Sequence, residues 1–116
     1  MEKPKRTYEM ATIFVPDITD SEIRNHVEQI EKLVATHGGE MLTTDFWGMR
    51  DFAYPIRKKE SGYYVFYYFD APRETPHKLR DALQLREDVL RHMIIVNEYM
   101  PEIKEKEVDN GPQTDE

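Results

Sequence analysis

The hydrophobic and polar residues of this chain follow two different periods, which alternate along the sequence. Over residues 7–15, apolar side chains recur in the alternating pattern of a largely buried strand. A helical period follows, in which Thr19 and Glu22 have the spacing of a capping box and two glycines, Gly38 and Gly39, end the pattern. Its apolar positions are Ile23, Val27, Ile30 and Val34. The segment is therefore predicted to be an amphipathic helix.

Two adjacent strands are predicted after this helix. Residues 43–56 are rich in aromatic residues and threonine, with Gly48 predicting a bulge and Pro55 a strand end or an edge strand. The sequence RKKESG then has the composition of a hairpin loop, and residues 62–69 form a strong strand pattern. The two strands are therefore expected to pair in antiparallel orientation.

A second helix and a last strand complete the predicted fold. Thr75 and Pro76 predict the N-cap and the first helical residue, and residues 89–99 return to an extended, β-branched pattern. The order is β-α-β-β-α-β, which predicts an α+β, ferredoxin-like fold. In this fold a four-stranded antiparallel sheet carries both helices on one face, so the other face remains open.

Length and charge divide the chain into one domain and a tail. The 116 residues allow a single domain, predicted over residues 1–99. Residues 100–116 contain six acidic residues and two lysines, so the tail carries −4 and the domain carries −7 minus −4, or −3. The tail has no apolar period after Val108, and it is predicted to be disordered.

Composition excludes several classes of protein. There is no cysteine, so disulfides, thiolate metal sites and cysteine nucleophiles are excluded. The longest apolar run, residues 63–69, is far shorter than the roughly 20 residues of a membrane span, and the basic start has no apolar stretch behind it. We therefore expect a cytoplasmic protein, with no membrane association.

No catalytic, cofactor-binding or metal-binding site is predicted. The four histidines lie in different predicted elements without the spacing that places two ligands on one helix face, and no phosphate-binding loop or nucleophile elbow occurs. We therefore expect no enzymatic activity, no cofactor, no metal and no small-molecule substrate. The histidines are His26, His37, His77 and His92.

The segment WGMRDFAYPIRKKESGYYVFYYFD, residues 47–70, combines closely spaced aromatic residues with a basic run. In its second strand, alternate side chains point to opposite faces, so one aromatic set packs under the helices and the other lies on the open face. A contiguous exposed aromatic patch is typical of an interface. The sequence therefore predicts an interaction surface on this side of the sheet.

The same segment resembles the bacterial small-subunit ribosomal protein six family. The resemblance covers roughly residues 6–97, including RTYE in the first strand and LREDVLRHMIIV around the last. Its most specific block is Gly48, Arg50, Ala53, Tyr54, Pro55, Ile56 and Lys58. The ferredoxin-like fold predicted from periodicity is also the fold of that family.

The resemblance implies a structural protein of the small ribosomal subunit, located on the ribosome in the cytoplasm. It further implies binding to 16S ribosomal RNA jointly with small-subunit ribosomal protein eighteen, as a heterodimer. Basic side chains at sheet edges and loop ends suit contacts with RNA phosphates. The candidate RNA-binding residues are Lys5, Arg6, Arg50, Arg57, Lys58, Lys59, Arg86 and Arg91.

Four of these candidates, Arg6, Arg50, Arg86 and Arg91, match basic positions in the family's motifs. Met49 and Asp51 depart from the family's pattern beside Arg50, where a further arginine or a neutral polar residue is common. The basic strip is therefore thinner here, which predicts weak RNA affinity for the isolated protein and more dependence on the protein partner. The candidate partner-binding residues are Trp47, Phe52, Tyr64, Phe66 and Tyr68.

Two other classes of function remain open from the sequence. The ferredoxin-like fold hosts many functions, so a small-ligand-binding or regulatory module that self-associates through its sheet is the main alternative. A single-strand RNA binder with aromatic stacking platforms is the other, but GYYVFYYF lacks the basic residue and second glycine expected of that motif.

Overall fold

The computed structural model describes residues 5–96 of the chain. Its elements are β1 (Lys5–Phe14), α1 (Asp20–Thr36), β2 (Glu40–Ile56), β3 (Lys59–Pro72), α2 (Thr75–Gln84) and β4 (Val89–Val96). This order confirms the predicted β-α-β-β-α-β arrangement. The expectations for residues 97–99 of the last strand and for the acidic tail, residues 100–116, lie outside the described residues.

The four strands form one antiparallel sheet in the order β2-β3-β1-β4. The edge strands are therefore β2 and β4, and Pro55 lies on an edge strand as the sequence predicts. The strand β2 also contains the expected irregularity at Gly48, which has a positive φ of 92° where the register with β3 shifts. A glycine suits this position because a side chain disfavours that backbone conformation.

One face of the sheet forms the core with both helices. Alternate residues of β1 and β3 are fully buried there, including Met10, Phe14, Tyr67 and Phe69. The helix α1 contributes the four predicted apolar residues, and α2 contributes Leu79 and Leu83. The capping box at Thr19 and Glu22 is present in both directions, which fixes the start of α1. Within residues 5–96, neither helix packs on the opposite face of the sheet.

Two local predictions were wrong. Thr75 is not the N-cap of α2: Glu74 holds that position, while the Thr75 hydroxyl donates a 2.6 Å hydrogen bond to the His37 carbonyl. The hairpin between β2 and β3 is also tighter than the sequence RKKESG suggests. Ile56 pairs with Lys59, so only Arg57 and Lys58 form the turn.

Candidate functional site

The five predicted partner-binding side chains all lie on the open side of the sheet. Tyr64, Phe66 and Tyr68 are half-buried and alternate along β3 with the buried residues of the core face. The Trp47 ring lies 4.4 Å from the Phe66 ring, and the Phe52 ring lies 6.4 Å from the Tyr64 ring, edge to face. We call these five residues the aromatic face. Such ring pairs stabilise each other while leaving part of their surface accessible.

The sequence pattern missed the extension of the aromatic face onto β1 and β4. Phe66 pairs with Ala11, which in turn pairs with Met93, so these three side chains share the open face. Met93 is 59% exposed and Ile95, two residues later, is 49% exposed. The alternating pattern of LRHMIIV indicates that Met93 and Ile95 lie on one face of β4. Only the strand order shows that this face continues the open face of β3.

A cation lies at the edge of the aromatic face. The guanidinium carbon of Arg50 is 5.6 Å from the centre of the Trp47 ring, and the Arg50 side chain donates a 3.4 Å hydrogen bond to the Trp47 carbonyl. Trp47 itself is 51% exposed. Arginine above an exposed indole is a cation–π contact. The basic and the aromatic candidates are therefore in direct contact at this point.

The face also carries negative charge near Tyr68. Burial, followed by the charges of Glu9 and Asp45, raises the pKa of Tyr68 to about 12. The phenol therefore stays protonated at neutral pH and can donate a hydrogen bond. A partner at this position meets a neutral hydroxyl beside carboxylates.

The tip of the β2–β3 hairpin presents two cations in an unusual backbone conformation. Arg57 and Lys58 have positive φ values of 51° and 69°, which the type I′ two-residue hairpin turn requires and which glycine and asparagine adopt most easily. Arg57 also lines a surface cleft with Arg91 and His92. The structure thus brings two RNA-binding candidates from distant parts of the chain, Arg57 in the turn and Arg91 in β4, to one cleft.

Arg86 is the candidate whose side chain is most engaged within the fold. Its guanidinium donates to both carboxylate oxygens of Asp88 at 3.2 Å and to Gln29 at 2.9 Å, and it contacts His26 at 2.8 Å. Its side chain is 19% exposed. These contacts join the turn after α2 to α1, so the geometry favours a structural role for Arg86.

The remaining basic candidates lie in different places. Lys59 is 3.8 Å from Asp17, and Lys5 is 3.9 Å from Glu40, both as solvent-exposed ion pairs. Such pairs contribute little energy, so both amines stay accessible to a stronger anion. Lys5 and Arg6 begin β1, whereas Arg91 pairs near its end with Ile13. At about 3.3 Å per residue, Arg6 and Ile13 lie roughly 23 Å apart.

The histidines and acidic residues of the described part of the chain form no metal-binding cluster. Within residues 5–96 no group of three or more histidine and acidic side chains could hold a metal ion. In the same part of the chain, no helix is long and apolar enough to cross a membrane.

Two of the histidines have distinct surroundings. Burial, followed by the charge of Arg80, lowers the pKa of His92. His77 lies 3.6 Å from Asp81 on the surface of α2.

Known proteins are similar to this chain in both sequence and fold. The family model described as ribosomal protein S6 matches residues 7–96. Small ribosomal subunit protein bS6 of Caldanaerobacter subterraneus subsp. tengcongensis is 36% identical over 90 residues, which cover 78% of this chain and 95% of that protein. The same protein of Nitratiruptor sp. is 37% identical over 98 residues, which cover 84% of this chain and 77% of that protein.

A solved structure agrees with these relatives. The crystal structure of 30S ribosomal protein S6 from Thermotoga maritima has a TM-score of 0.80 and 26% sequence identity, covering 92% of this chain and all of that chain. The matched family is a structural, non-enzymatic component of the small ribosomal subunit in the bacterial cytoplasm. Because the family model spans residues 7–96 and the relatives exceed 30% identity over most of their length, this chain belongs to the ribosomal protein S6 family.

Proposed function

We propose that this chain binds 16S ribosomal RNA together with small-subunit ribosomal protein eighteen, and that the aromatic face is the surface that docks this protein partner. The observation that carries the proposal is the clustering of Trp47, Phe52, Tyr64, Phe66 and Tyr68 on one open side of the sheet. Contiguous exposed apolar surface of this kind is costly in a free protein and typical of an interface. Aromatic residues are enriched at the centres of such interfaces.

The RNA-binding part of the proposal is supported by cations near the hairpin. Arg50 lies against Trp47, and Arg57 shares a cleft with Arg91. Arg57 and Lys58 are also held in a backbone conformation that costs free energy for residues other than glycine. A charged pair at such a position is consistent with selection for the charge rather than for the turn. Phosphate contacts from these side chains would release counterions.

Lys5, Arg6 and Lys59 complete the proposed set of phosphate contacts, whereas Arg86 acts within the fold. The exposed ion pairs of Lys5 and Lys59 can exchange their carboxylates for phosphates at small cost. The acidic residues Glu9 and Asp45 near Tyr68 favour a basic protein, rather than RNA, on that part of the aromatic face. Protein and RNA therefore occupy adjoining surfaces that meet at Trp47 and Arg50.

Sedimentation of a cell lysate on a sucrose gradient tests the proposal directly. We expect the chain, followed by mass spectrometry, to migrate with the small subunit at low and moderate salt. Purified chain, protein eighteen and 16S ribosomal RNA should also form a ternary complex that is tighter than either binary complex. A chain that remains at the top of the gradient and forms no complex with either component would overturn the proposal.

A further inference from the structure

A second basic cluster lies at the end of the sheet where β1 begins. Three arginines from three parts of the chain line one cleft of about 520 Å³: Arg6 from β1, Arg73 from the turn after β3, and Arg80 from α2. We call this site the arginine cleft. Sequence reasoning singled out Arg6 alone, because only the packing of α2 beside β1 and β4 brings the other two to it.

The rest of the cleft is apolar. Its remaining described lining residues are Tyr8, Pro76, Ile94, Ile95 and Val96. None of the lining residues within the described part of the chain is acidic. The volume falls in the range of small-ligand sites, about 300 to 1,000 Å³. The cleft therefore combines a cationic rim with an apolar floor.

The Arg80 side chain is held beside the cleft. Arg80 donates a 3.4 Å hydrogen bond to the carbonyl of Ile94, which holds its guanidinium beside β4. Pro76, in the first turn of α2, also lines the cleft, and the acidic Glu74 is the N-cap of that helix. The positive charge available to an anion in the cleft therefore comes from the arginines.

We propose that the arginine cleft binds one nucleotide of ribosomal RNA, with the phosphodiester group on Arg73 and Arg80 and the sugar or base against the apolar floor. The inference rests on the proposed function, because its ligand is RNA. It adds an RNA contact at the start of β1, whereas the hairpin cations lie near the end of that strand. Arginine suits this role because its planar donor groups match phosphate oxygens and also pack against flat rings.

A nucleotide fits the cleft better than a carboxylate does. An acidic side chain would match the arginine rim, but it would leave the exposed side chain of Val96 without an apolar partner. A nucleotide offers a phosphate and a largely apolar ring at the same time. The acidic residues that follow Val96 in the sequence are therefore the main competing occupant, and the test must separate them from RNA.

The test compares two double variants of the full chain in complex formation with protein eighteen and 16S ribosomal RNA. R73Q/R80Q removes two charges from the cleft, and R24Q/K32Q removes two charges from exposed positions on α1. We expect R73Q/R80Q to raise the RNA dissociation constant about tenfold relative to R24Q/K32Q, since charge-assisted hydrogen bonds are lost. The slope of log K against log salt should fall by about one for each lost phosphate contact.

A second measurement identifies the occupant. In NMR spectra of the labelled full chain, a phosphodiester-linked dinucleotide should shift the arginine side-chain signals of Arg73 and Arg80, and R73Q/R80Q should abolish the accompanying shifts at Ile94 and Ile95. If those arginine signals respond instead only to E102Q/E105Q/E107Q, the occupant is a carboxylate and the proposal is overturned.

Failure of the proposed function and failure of the cleft assignment give different experimental results. If wild-type chain binds no ribosomal RNA under any condition, the proposed function fails and the cleft assignment fails with it. If the wild type binds RNA but R73Q/R80Q keeps the affinity and salt slope of R24Q/K32Q, only the cleft assignment is overturned.

Discussion

Arg50 and Trp47 form the contact at which the basic and the aromatic surfaces of the protein meet, with the guanidinium carbon 5.6 Å from the centre of the indole ring. The bulge at Gly48 makes this geometry possible, because an extra residue in β2 turns the side chains of Trp47 and Arg50 toward the same region. A single irregularity in an edge strand thus joins the two halves of the proposed interface.

Removing aromatic side chains from the open face should weaken partner binding without unfolding the protein. We expect Y64A/Y68A to raise the dissociation constant for protein eighteen at least tenfold, because central aromatic residues dominate such interfaces. Both tyrosines are only half-buried, so the thermal unfolding temperature should change little. Calorimetric titration and thermal denaturation measure the two quantities.

Y54A is the matched control, since Tyr54 is 65% exposed on β2 and lies outside the aromatic face. It should leave partner affinity unchanged. If Y64A/Y68A binds protein eighteen as tightly as Y54A does, the aromatic face is not the docking surface.

The hairpin turn should gain stability when its cations are replaced by typical turn residues. Positive φ at both Arg57 and Lys58 favours Asn-Gly, so R57N/K58G should raise the free energy of unfolding by about 1 kcal/mol. The same variant should weaken RNA binding and lower its salt slope by about two, because two cations are lost. R57Q/K58Q should show the RNA effect without the gain in stability. A stabilised R57N/K58G that keeps full RNA affinity would remove these cations from the proposed interface.

Arg86 should behave as a structural residue although the sequence favours it as an RNA ligand. Replacing it in R86Q removes both arginine hydrogen bonds from the largely buried carboxylate of Asp88, which keeps, among the described residues, only its 3.0 Å contact with His26, and should lower the free energy of unfolding by about 1–3 kcal/mol. In urea denaturation, R24Q should have little effect because Arg24 is exposed. RNA affinity of the two variants should be equal at temperatures where both are folded. A larger salt-slope change in R86Q than in R24Q would restore Arg86 as a phosphate contact.

The element order could be predicted from sequence because each element has an uninterrupted period and a local end signal. Ile23 to Val34 repeat at helical spacing after a capping box, and β3 alternates between partly exposed and buried side chains from Tyr64 to Phe69. The prediction that Thr75 is the N-cap of α2 was wrong for a physical reason. Thr75 has the right side chain for a cap, but its hydroxyl is used by the His37 carbonyl, a partner 38 residues away.

The candidate site was predictable only where it lies within one strand or one hairpin. Tyr64, Phe66 and Tyr68 share a face because they alternate, which the sequence alone reveals. Met93 joins them only through the strand order β3-β1-β4, and Arg73 and Arg80 join Arg6 only because α2 packs beside the sheet. Long-range pairing sets these neighbours, and no local pattern encodes it.

Gly62 lies where β3 passes under the aromatic face, and a side chain there should be destabilising. A Cβ at this position would lie 2.5 Å from Ile13 Cγ2 and 2.8 Å from Phe52 Cζ. G62A should therefore lower the free energy of unfolding by about 1–3 kcal/mol and displace the Phe52 ring from the aromatic face. G48A, where a Cβ meets nothing within 4 Å, should cost only the backbone strain of its positive φ.

A double variant separates overpacking at Gly62 from a backbone effect. Replacing Ile13 by alanine removes the Cγ2 atom that the new Cβ would meet first. The unfolding free energies of G62A, I13A and G62A/I13A, measured in urea, should then be non-additive, with the double variant more stable than the sum of the single effects predicts. Strict additivity would mean that the two side chains do not clash.

The raised pKa of Tyr68 should make the protein less stable at alkaline pH. Burial first, and then the charges of Glu9 and Asp45, raise this pKa from an ordinary 10.0 to about 12. Below pH 10 the phenol is protonated in both the folded and the unfolded chain, so its contribution to stability is fully present. As the pH rises from 10 to 12, the unfolded chain loses the phenolic proton more readily, and the free energy of unfolding falls. Y68F lacks this proton and should lose less stability over that interval in urea denaturation. Equal losses for Y68F and the wild type would show that Tyr68 ionises as easily in the folded protein as in the unfolded chain.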